Sequence, residues 1–364
     1  MTKSWLKKLF KPRKSDMGST LLRGRHTIIT GQTGTGKTRL LSKALEKVRE
    51  YPAVIVDPLG EHLGMLYRSG DHLLNPLDSR SEYWTLWTDI KESQHFEEIA
   101  RSLVLLPSEK NGPSDSVKAA RIMLAMGLEK TSTRSIKDLF LTFQGMLKTG
   151  LPELDGFSEA ARQMSPDLNP TLMAYGTLLA CANHLNCLWL PGPEPEFSLR
   201  DWAQAPTGWL FITARLGFHP DLSPLVSTWL EVLSSELLRP EAADQQMFIV
   251  IDGLSDLQPL SALQRLLAQQ GPHGLTCLTA FRTILDLRYA WGEEAADSFF
   301  TRCDNLVSFH ADREAHVRLG ELVTHITLDY EEWPHAAPRC LPVDSARTYW
   351  GPWDSKPIQG EGLH

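Results

Sequence analysis

Residues 31–38 read Gly31-Gln-Thr-Gly-Thr-Gly-Lys-Thr38, and this octapeptide decides the fold. It satisfies G-x-x-x-x-G-K-[ST], the phosphate-binding loop, at every fixed position. Gly31, Gly34 and Gly36 let the backbone curl into a concave nest, and Gln32, Thr33 and Thr35 contribute N–H groups to it. Lys37 is placed to set its ammonium on β/γ-phosphates, and Thr38 offers a hydroxyl to Mg²⁺. The flanks agree. His26-Thr-Ile-Ile-Thr30 is a β-branched run that reads as a buried strand, and Arg39–Val48 carries apolar residues at helical spacing. A strand, a glycine loop and a helix in that order point the helix N-terminus at a triphosphate.

Working outward, strand patterns recur at Ala53–Asp57, His72–Pro76, Gly208–Thr213, Met247–Asp252, Thr276–Phe281 and Asn305–Phe309. A helix is expected over Leu222–Leu238. Strands alternating with helices imply a mostly parallel sheet covered on both faces, an α/β fold. Between about Ser93 and Ala182 the pattern changes: Phe96–Leu105, Ser116–Leu128, Ser135–Leu147 and Thr171–Ala182 are helical in period, with no convincing strand between them. The expected organisation is therefore a nucleotide-binding domain over 20–92 and 186–325 and an all-helical insertion over 93–185. A tryptophan- and proline-containing strap or tail occupies 326–364.

Composition is that of a globular protein: 364 residues, 42% hydrophobic and 22% charged, with no apolar run long enough to span a bilayer. No signal peptide is read at the N-terminus, and five cysteines without a C-x-x-C pair or zinc spacing suit a reducing, cytoplasmic setting. The net charge of −7 hides an asymmetry. Residues 1–14 hold six of the 37 basic residues and no acid, leaving 31 bases against 44 acids in the rest. The body is thus too acidic for a broad cationic nucleic-acid face, and any such contact is local, such as a pore lining. Within the basic segment 1–19, Trp5, Leu6, Leu9 and Phe10 share one side of a short helix with lysines opposite. That pattern reads either as a membrane-surface segment through residues 3–14 or as a solvated terminus.

The run Phe248-Ile-Val-Ile-Asp252 has the form of the acidic strand that holds Mg²⁺ in ATPases. The alternative for Asp252 is a strand-end aspartate capping the next helix. ATPases of this kind follow the aspartate with a glutamate that orients the attacking water. Here the next residue is Gly253, and Asp256 comes three positions later.

Taken in order, several strings resemble the cytoplasmic nucleotide-binding domain of the type IV secretion and conjugation coupling proteins, the TraD/TrwB group. They are Arg25-His26, Val54–Pro58, Leu74-Asn-Pro-Leu-Asp78 with Arg80 and Trp84, Phe197-Ser-Leu-Arg-Asp-Trp202, Leu210–Thr213 followed by Arg215, and Phe248–Asp252. Together they cover roughly residues 20–325, without the transmembrane segment typical of that family. The resemblance implies a RecA-like P-loop NTPase domain with an all-helical insertion. It implies binding of ATP or ADP with Mg²⁺ between the subunits of a ring, and partners that include DNA and the type IV secretion or relaxosome proteins. It implies a cytoplasmic location, to which the membrane-surface reading of residues 3–14 adds a peripheral contact at the inner face of the membrane. Lys37, Thr38 and Asp252 match family binding positions, and Arg25 matches an arginine beside the nucleotide. Three positions depart from the pattern. Gly253 stands for the glutamate, Arg282 for a glutamine at the end of the following strand, and Gln269–Gly274 holds no arginine or lysine where an arginine would reach into the neighbouring site. An arginine finger is worth about 10³–10⁵ in rate. The expectation is a protein that retains binding residues, with Lys37 and Asp252 as its catalytic core, and has weakened or absent hydrolysis unless Arg215 or Arg282 substitutes. Two readings stay open: a DNA-handling motor subunit, or a non-hydrolysing adaptor that recruits substrate proteins or regulates an active partner.

Overall fold

The computed structural model describes residues 21–22, 26–78, 80–104, 115–136, 138–139, 141, 197–214, 222–239, 246–257, 259–268, 274–309, 314–319 and 322–327. The N-terminal basic segment, Arg25, Arg215, residues 142–196 (with the helix expected at 171–182) and the tail beyond 327 lie outside that set.

The strands are β1 (His26–Thr30), β2 (Ala53–Val56), β3 (His72–Leu74), β4 (Trp209–Ile212), β5 (Met247–Asp252), β6 (Leu275–Phe281), β7 (Asn305–Phe309), β8 (Glu314–Leu319) and β9 (Leu322–Thr327). The helices are α1 (Lys37–Glu46), α2 (Glu61–Leu66), α3 (Gln94–Leu103), α4 (Asp115–Lys130), α5 (Leu199–Gln204), α6 (Ser223–Leu237), α7 (Ser261–Ala268), α8 (Ile284–Trp291) and α9 (Glu293–Thr301). One sheet runs β3-β4-β2-β5-β6-β1-β7-β8-β9. The seven strands from β3 to β7 in that order pair in parallel, and β8 and β9 add antiparallel to β7.

The strand sequences explain two apolar layers. Side chains alternate across a sheet with a period of two, so a strand covered on both faces is apolar throughout. Ile29, Ile55, Phe211, Phe248 and Val250 pack under Leu40, Leu41, Ala44 and Leu45 of α1 and Leu63 of α2. Their neighbours Ile28, Val54, Val56, Leu210, Ile212, Ile249 and Ile251 face the opposite layer, which holds α3 to α9. Ile99 and Leu103 of α3 and Met123, Leu124 and Leu128 of α4 share that cluster with Val226, Leu230 and Leu233 of α6. The first two helices of the helical stretch thus sit on the sheet's own core.

The antiparallel pair β8–β9 is the architectural feature the sequence reading did not anticipate. Leu319 pairs with Leu322, leaving a two-residue connection, and Glu314 pairs with Thr327. The alternation in Glu314-Ala-His-Val-Arg-Leu319 and the Gly320 that follows are the signals that could have found it. No described helix is long and apolar enough to cross a membrane.

Candidate nucleotide-binding site

The parallel sheet carries the C-terminal ends of β1, β5 and β6 to one edge, where open α/β sheets bind ligands. β6 lies between β1 and β5, with Ile29 paired to Ala280 and Asp252 also paired to Ala280 from the other side. The glycine loop therefore faces the acidic strand across a single strand.

The loop is built as its residue types require. Gly31, Gly34 and Gly36 have φ of 152°, 81° and 101°. A Cβ on Gly31 would lie 2.7 Å from Phe309 Cβ and 2.8 Å from Thr35 Oγ1, so the loop closes tightly onto the end of β7 only with glycine there. Gly31 N–H donates to the carbonyl of Arg282 at 3.0 Å, pinning the loop to the exit of β6. Thr35 Oγ1 donates to Gln32 O at 2.8 Å and fixes the turn. Gln32, Thr33 and Gly34 are exposed at its tip. Gly36 caps α1 without a side-chain acceptor, which leaves the first-turn N–H groups directed at the loop's mouth.

Lys37 Nζ arches over this loop and donates to the carbonyls of Gly31 (2.7 Å) and Gln32 (3.0 Å). Burial lowers its pKa; Asp252 opposes that effect and Arg282 adds to it. Thr38 Oγ1 donates to Asp252 Oδ2 at 2.6 Å, across 214 positions of sequence. Asp252 does not cap the 3₁₀ turn that follows it, Leu254–Asp256, whose N-cap Gly253 has no side-chain bond. A hydroxyl and a carboxylate side by side are hard oxygen donors of the kind Mg²⁺ takes, so the chemistry of the pair fits that ion. Among the described residues no group of three or more His, Cys, Asp or Glu side chains forms a protein-only metal cage.

The sequence reading did not single out His62, which is fully buried on α2. Its Nδ1 lies 2.9 Å from Ser42 Oγ and its Nε2 lies 3.3 Å from Asp252 Oδ2. Ser42 Oγ in turn donates to Thr38 O at 2.9 Å. The ring thus ties α1, α2 and β5 together behind the Thr38–Asp252 pair. Burial alone would lower its pKa, but the bond to Asp252 and the charge of Asp57 carry it upward. In Asp252, burial is outweighed by His62, Thr38 and Lys37, which hold the carboxyl below its usual range. No local motif marks His62; the signal is the partner it finds 190 positions away. Asp57, at the exit of β2, spends its carboxylate on α2. It accepts from Gly60 N (3.0 Å), Glu61 N (3.1 Å) and Leu63 N (2.9 Å).

The departure at Gly253 has a backbone cause. Its φ is +105°, and a Cβ there would lie 3.0 Å from Asp256 Oδ2 and 3.4 Å from Pro58 Cγ. The peptide after Asp252 thus turns into a conformation that L residues rarely adopt, and a glutamate does not fit it unstrained. The carboxylates beside this edge are Glu61 and Asp256. Burial raises both their pKa values, and Asp252 adds to each rise. Arg282 is largely exposed and pairs with Asp286 at 3.4 Å within its own turn. Residues 269–273 lie outside the described set. Gly253→Glu is expected to destabilise the fold by about 1–3 kcal/mol, the cost of a strained left-handed residue. It should restore no turnover. A variant as stable in urea as the parent, with a gain in phosphate release, would contradict this reading of the turn.

A family model described as "Type IV secretion-system coupling protein DNA-binding domain" matches residues 20–323. The coupling protein TraD of Escherichia coli (strain K12) is 26% identical over 288 residues, which is 74% of this chain and 39% of that protein. The chain thus spans about two fifths of the length of the curated relative it matches. The plasmid coupling protein TrwB in complex with ADP and Mg²⁺ superposes with a TM-score of 0.67 at 23% identity, covering 90% of this chain and 85% of that one. TrwB with a non-hydrolysable ATP analogue gives 0.67 at 22% identity over the same shares. VirB4 of Thermoanaerobacter pseudethanolicus gives 0.51 at 12% identity, over 85% of this chain and 92% of that one. The solved structures support the RecA-like α/β fold with its phosphate loop.

Proposed function

The chain belongs to the type IV secretion-system coupling protein family, and from that premise we propose that it binds ATP or ADP with Mg²⁺ at the loop Gly31–Thr38. In this reading it serves as a nucleotide-binding subunit of a conjugative DNA-transfer or type IV secretion apparatus. The observation that carries the binding step is the 2.6 Å bond between Thr38 and Asp252, which brings the loop and the acidic strand to one point. Thr38 and Asp252 would hold the metal, whose chemistry is to neutralise phosphate charge. Lys37 supplies a fixed cation to the terminal phosphates. His62 and Ser42 hold Asp252 and α1 in place from behind. The N–H groups of the loop and of α1 orient the phosphate chain.

Hydrolysis is weakened in this reading. The residue after Asp252 is a glycine in a left-handed turn, and the cation at 282 is engaged with Asp286. Turnover with single-stranded DNA is expected to stay below about 0.1 per second, two orders under ordinary enzymes. Steady-state phosphate release with and without DNA measures it. A rate near 10 per second that disappears in Lys37→Ala would reverse this part of the reading. The same departures favour the second reading, a nucleotide-binding adaptor that recruits substrate proteins or regulates an active partner. Mass measurement with and without nucleotide separates the two: a motor closes into a homomeric ring on nucleotide, and an adaptor stays monomeric or joins other chains. DNA contact, recognition of cargo by the helical stretch 93–185 and membrane contact through residues 3–14 belong to the same proposal.

A further inference from the structure

The glycine after Asp252 carries no side chain, and the turn that follows it brings another carboxylate back to the same place. Gly253 N–H donates to Ala280 O at 2.9 Å, so the exit of β5 stays pinned to β6, whose other side carries the phosphate loop. The 3₁₀ turn Leu254–Asp256 then reverses the chain, and Asp256 N–H donates back to Gly253 O at 2.9 Å. As a result Asp256 Oδ2 lies 3.0 Å from the point where a Cβ on residue 253 would stand. A glutamate's own carboxyl oxygens lie roughly 3–3.6 Å from its Cβ, two C–C bonds and one C–O bond away. The Asp256 carboxylate therefore reaches the shell that the carboxylate of a glutamate at 253 would sweep.

The turn is fixed on every side except at that carboxylate. Leu254 is fully buried and Leu257 is 2% exposed. Trp291 Nε1 donates to Leu257 O at 2.8 Å, and Ser223 Oγ donates to Asp256 O at 3.2 Å. The Asp256 carboxylate itself forms no hydrogen bond or ion pair among the described residues. It keeps part of its surface open to solvent, so water reaches it. Desolvation raises its pKa; Arg282 opposes the rise, and Asp252 and Asp286 add to it. A carboxylate with a raised pKa is a stronger base. Glu61, the other carboxylate at this edge, enters from the exit of β2 and makes no such return to residue 253.

Resting on the nucleotide reading above, we propose that Asp256 takes the place of the absent glutamate: its carboxylate orients and deprotonates the water that attacks the terminal phosphate of ATP, and it carries the residual hydrolysis of this chain. The carboxylate accepts the water's proton as the water oxygen bonds to the terminal phosphorus. The bond from that phosphorus to the bridging oxygen breaks, its electron pair leaves with ADP, and the proton passes from Asp256 to solvent. The assignment also gives a second reason why Gly253→Glu restores no turnover: the added side chain contends for the place that Asp256 fills.

The test is single-turnover hydrolysis of ATP with Mg²⁺ by the whole chain. It is paired with calorimetric titration of ADP, alone and with aluminium fluoride, whose complex imitates the phosphoryl group in transfer. Asp256→Asn is expected to lower the rate about 100-fold, within the range that a positioned base contributes. Its ADP affinity should stay within about twofold of the parent. Aluminium fluoride should tighten ADP about tenfold in the parent and not in Asp256→Asn, a readout that a merely structural residue would not move. Asp256→Glu should keep more of the rate than Asp256→Asn, and Glu61→Gln should leave the rate within about threefold. Urea unfolding should place Asp256→Asn beside the parent, because the carboxylate it alters bonds no described residue. The two failures are separable. Absence of ADP binding sinks the nucleotide reading and this inference with it. Normal ADP binding with an unchanged rate in Asp256→Asn, with no rate in the parent above that of Lys37→Ala, or with a loss that follows Glu61→Gln instead, overturns the assignment of Asp256 and leaves the nucleotide reading standing.

Discussion

Lys37→Ala is expected to weaken binding of ADP with Mg²⁺ by about 100-fold. The ammonium is half-buried at the loop's mouth, where burial already acts against its charge and Asp252 sustains it. A hydrogen bond from a charged donor contributes about 1.5–3 kcal/mol, and the upper end of that range corresponds to a factor of about 150 in Kd. The fold should survive, because among the described residues Nζ bonds loop carbonyls alone, those of Gly31 and Gln32. Calorimetry of parent and variant, with circular dichroism as the control for folding, decides it. Thr38→Ala should cost affinity only when Mg²⁺ is present, since its hydroxyl serves the metal through the pair with Asp252. If Lys37→Ala bound ADP within about threefold of the parent, the nucleotide would have to sit elsewhere.

Arg200→Ala is expected to cost about 3–5 kcal/mol of stability while leaving nucleotide affinity unchanged in the folded fraction. Arg200 is 2% exposed. Its guanidinium donates to Asp89 O (2.9 Å), Glu98 Oε2 (2.8 Å) and Glu236 Oε2 (3.2 Å). The Asp89 carboxylate meanwhile accepts from Ser198 Oγ and from the N–H groups of Leu199 and Arg200. Deleting the cation leaves Glu236, itself 2% exposed, without its most buried partner. Arg239 at 3.3 Å and Gln204 at 2.8 Å offset only part of that loss. The network joins α3, α5 and α6, so its failure loosens the layer on which the helical stretch begins. Urea unfolding followed by tryptophan fluorescence measures the effect. Arg200→Lys should recover little, because an ammonium cannot span three acceptors held in a fork. A loss below about 1 kcal/mol would show that the buried pairs do not hold this layer.

The two variants mark how far the sequence could be read. The string Phe197-Ser-Leu-Arg-Asp-Trp202 stood out as part of an ordered resemblance, yet nothing in it says that Arg200 is the centre of a buried network. The phosphate loop was legible residue by residue, because each glycine and the Lys-Thr pair answer to a local backbone or charge requirement. Asp252 was legible as the end of an apolar strand. Gly253 was legible as a departure, but its cause was not: the turn's φ of +105° and the closeness of Asp256 and Pro58 exist only in the folded chain. Asp57 at the exit of β2 and His62 on α2 sit five residues apart, and their roles divide only in space, one capping α2 and the other against Asp252.

By itself the sequence determined the α/β class, the strands at 26–30, 247–252 and 305–309, and the phosphate loop. These are set by interactions within a few residues: β-branched runs, period-two and period-3.6 patterns, and glycines that permit a tight nest. Only the tertiary structure decided the strand order, the antiparallel extension by β8 and β9, and the meeting of Thr38, His62 and Asp252. Those depend on which strand pairs with which, and pairing is settled by burial of both sheet faces at once. No local window of the chain contains that condition, since the residues it brings into contact lie 190 and 214 positions apart.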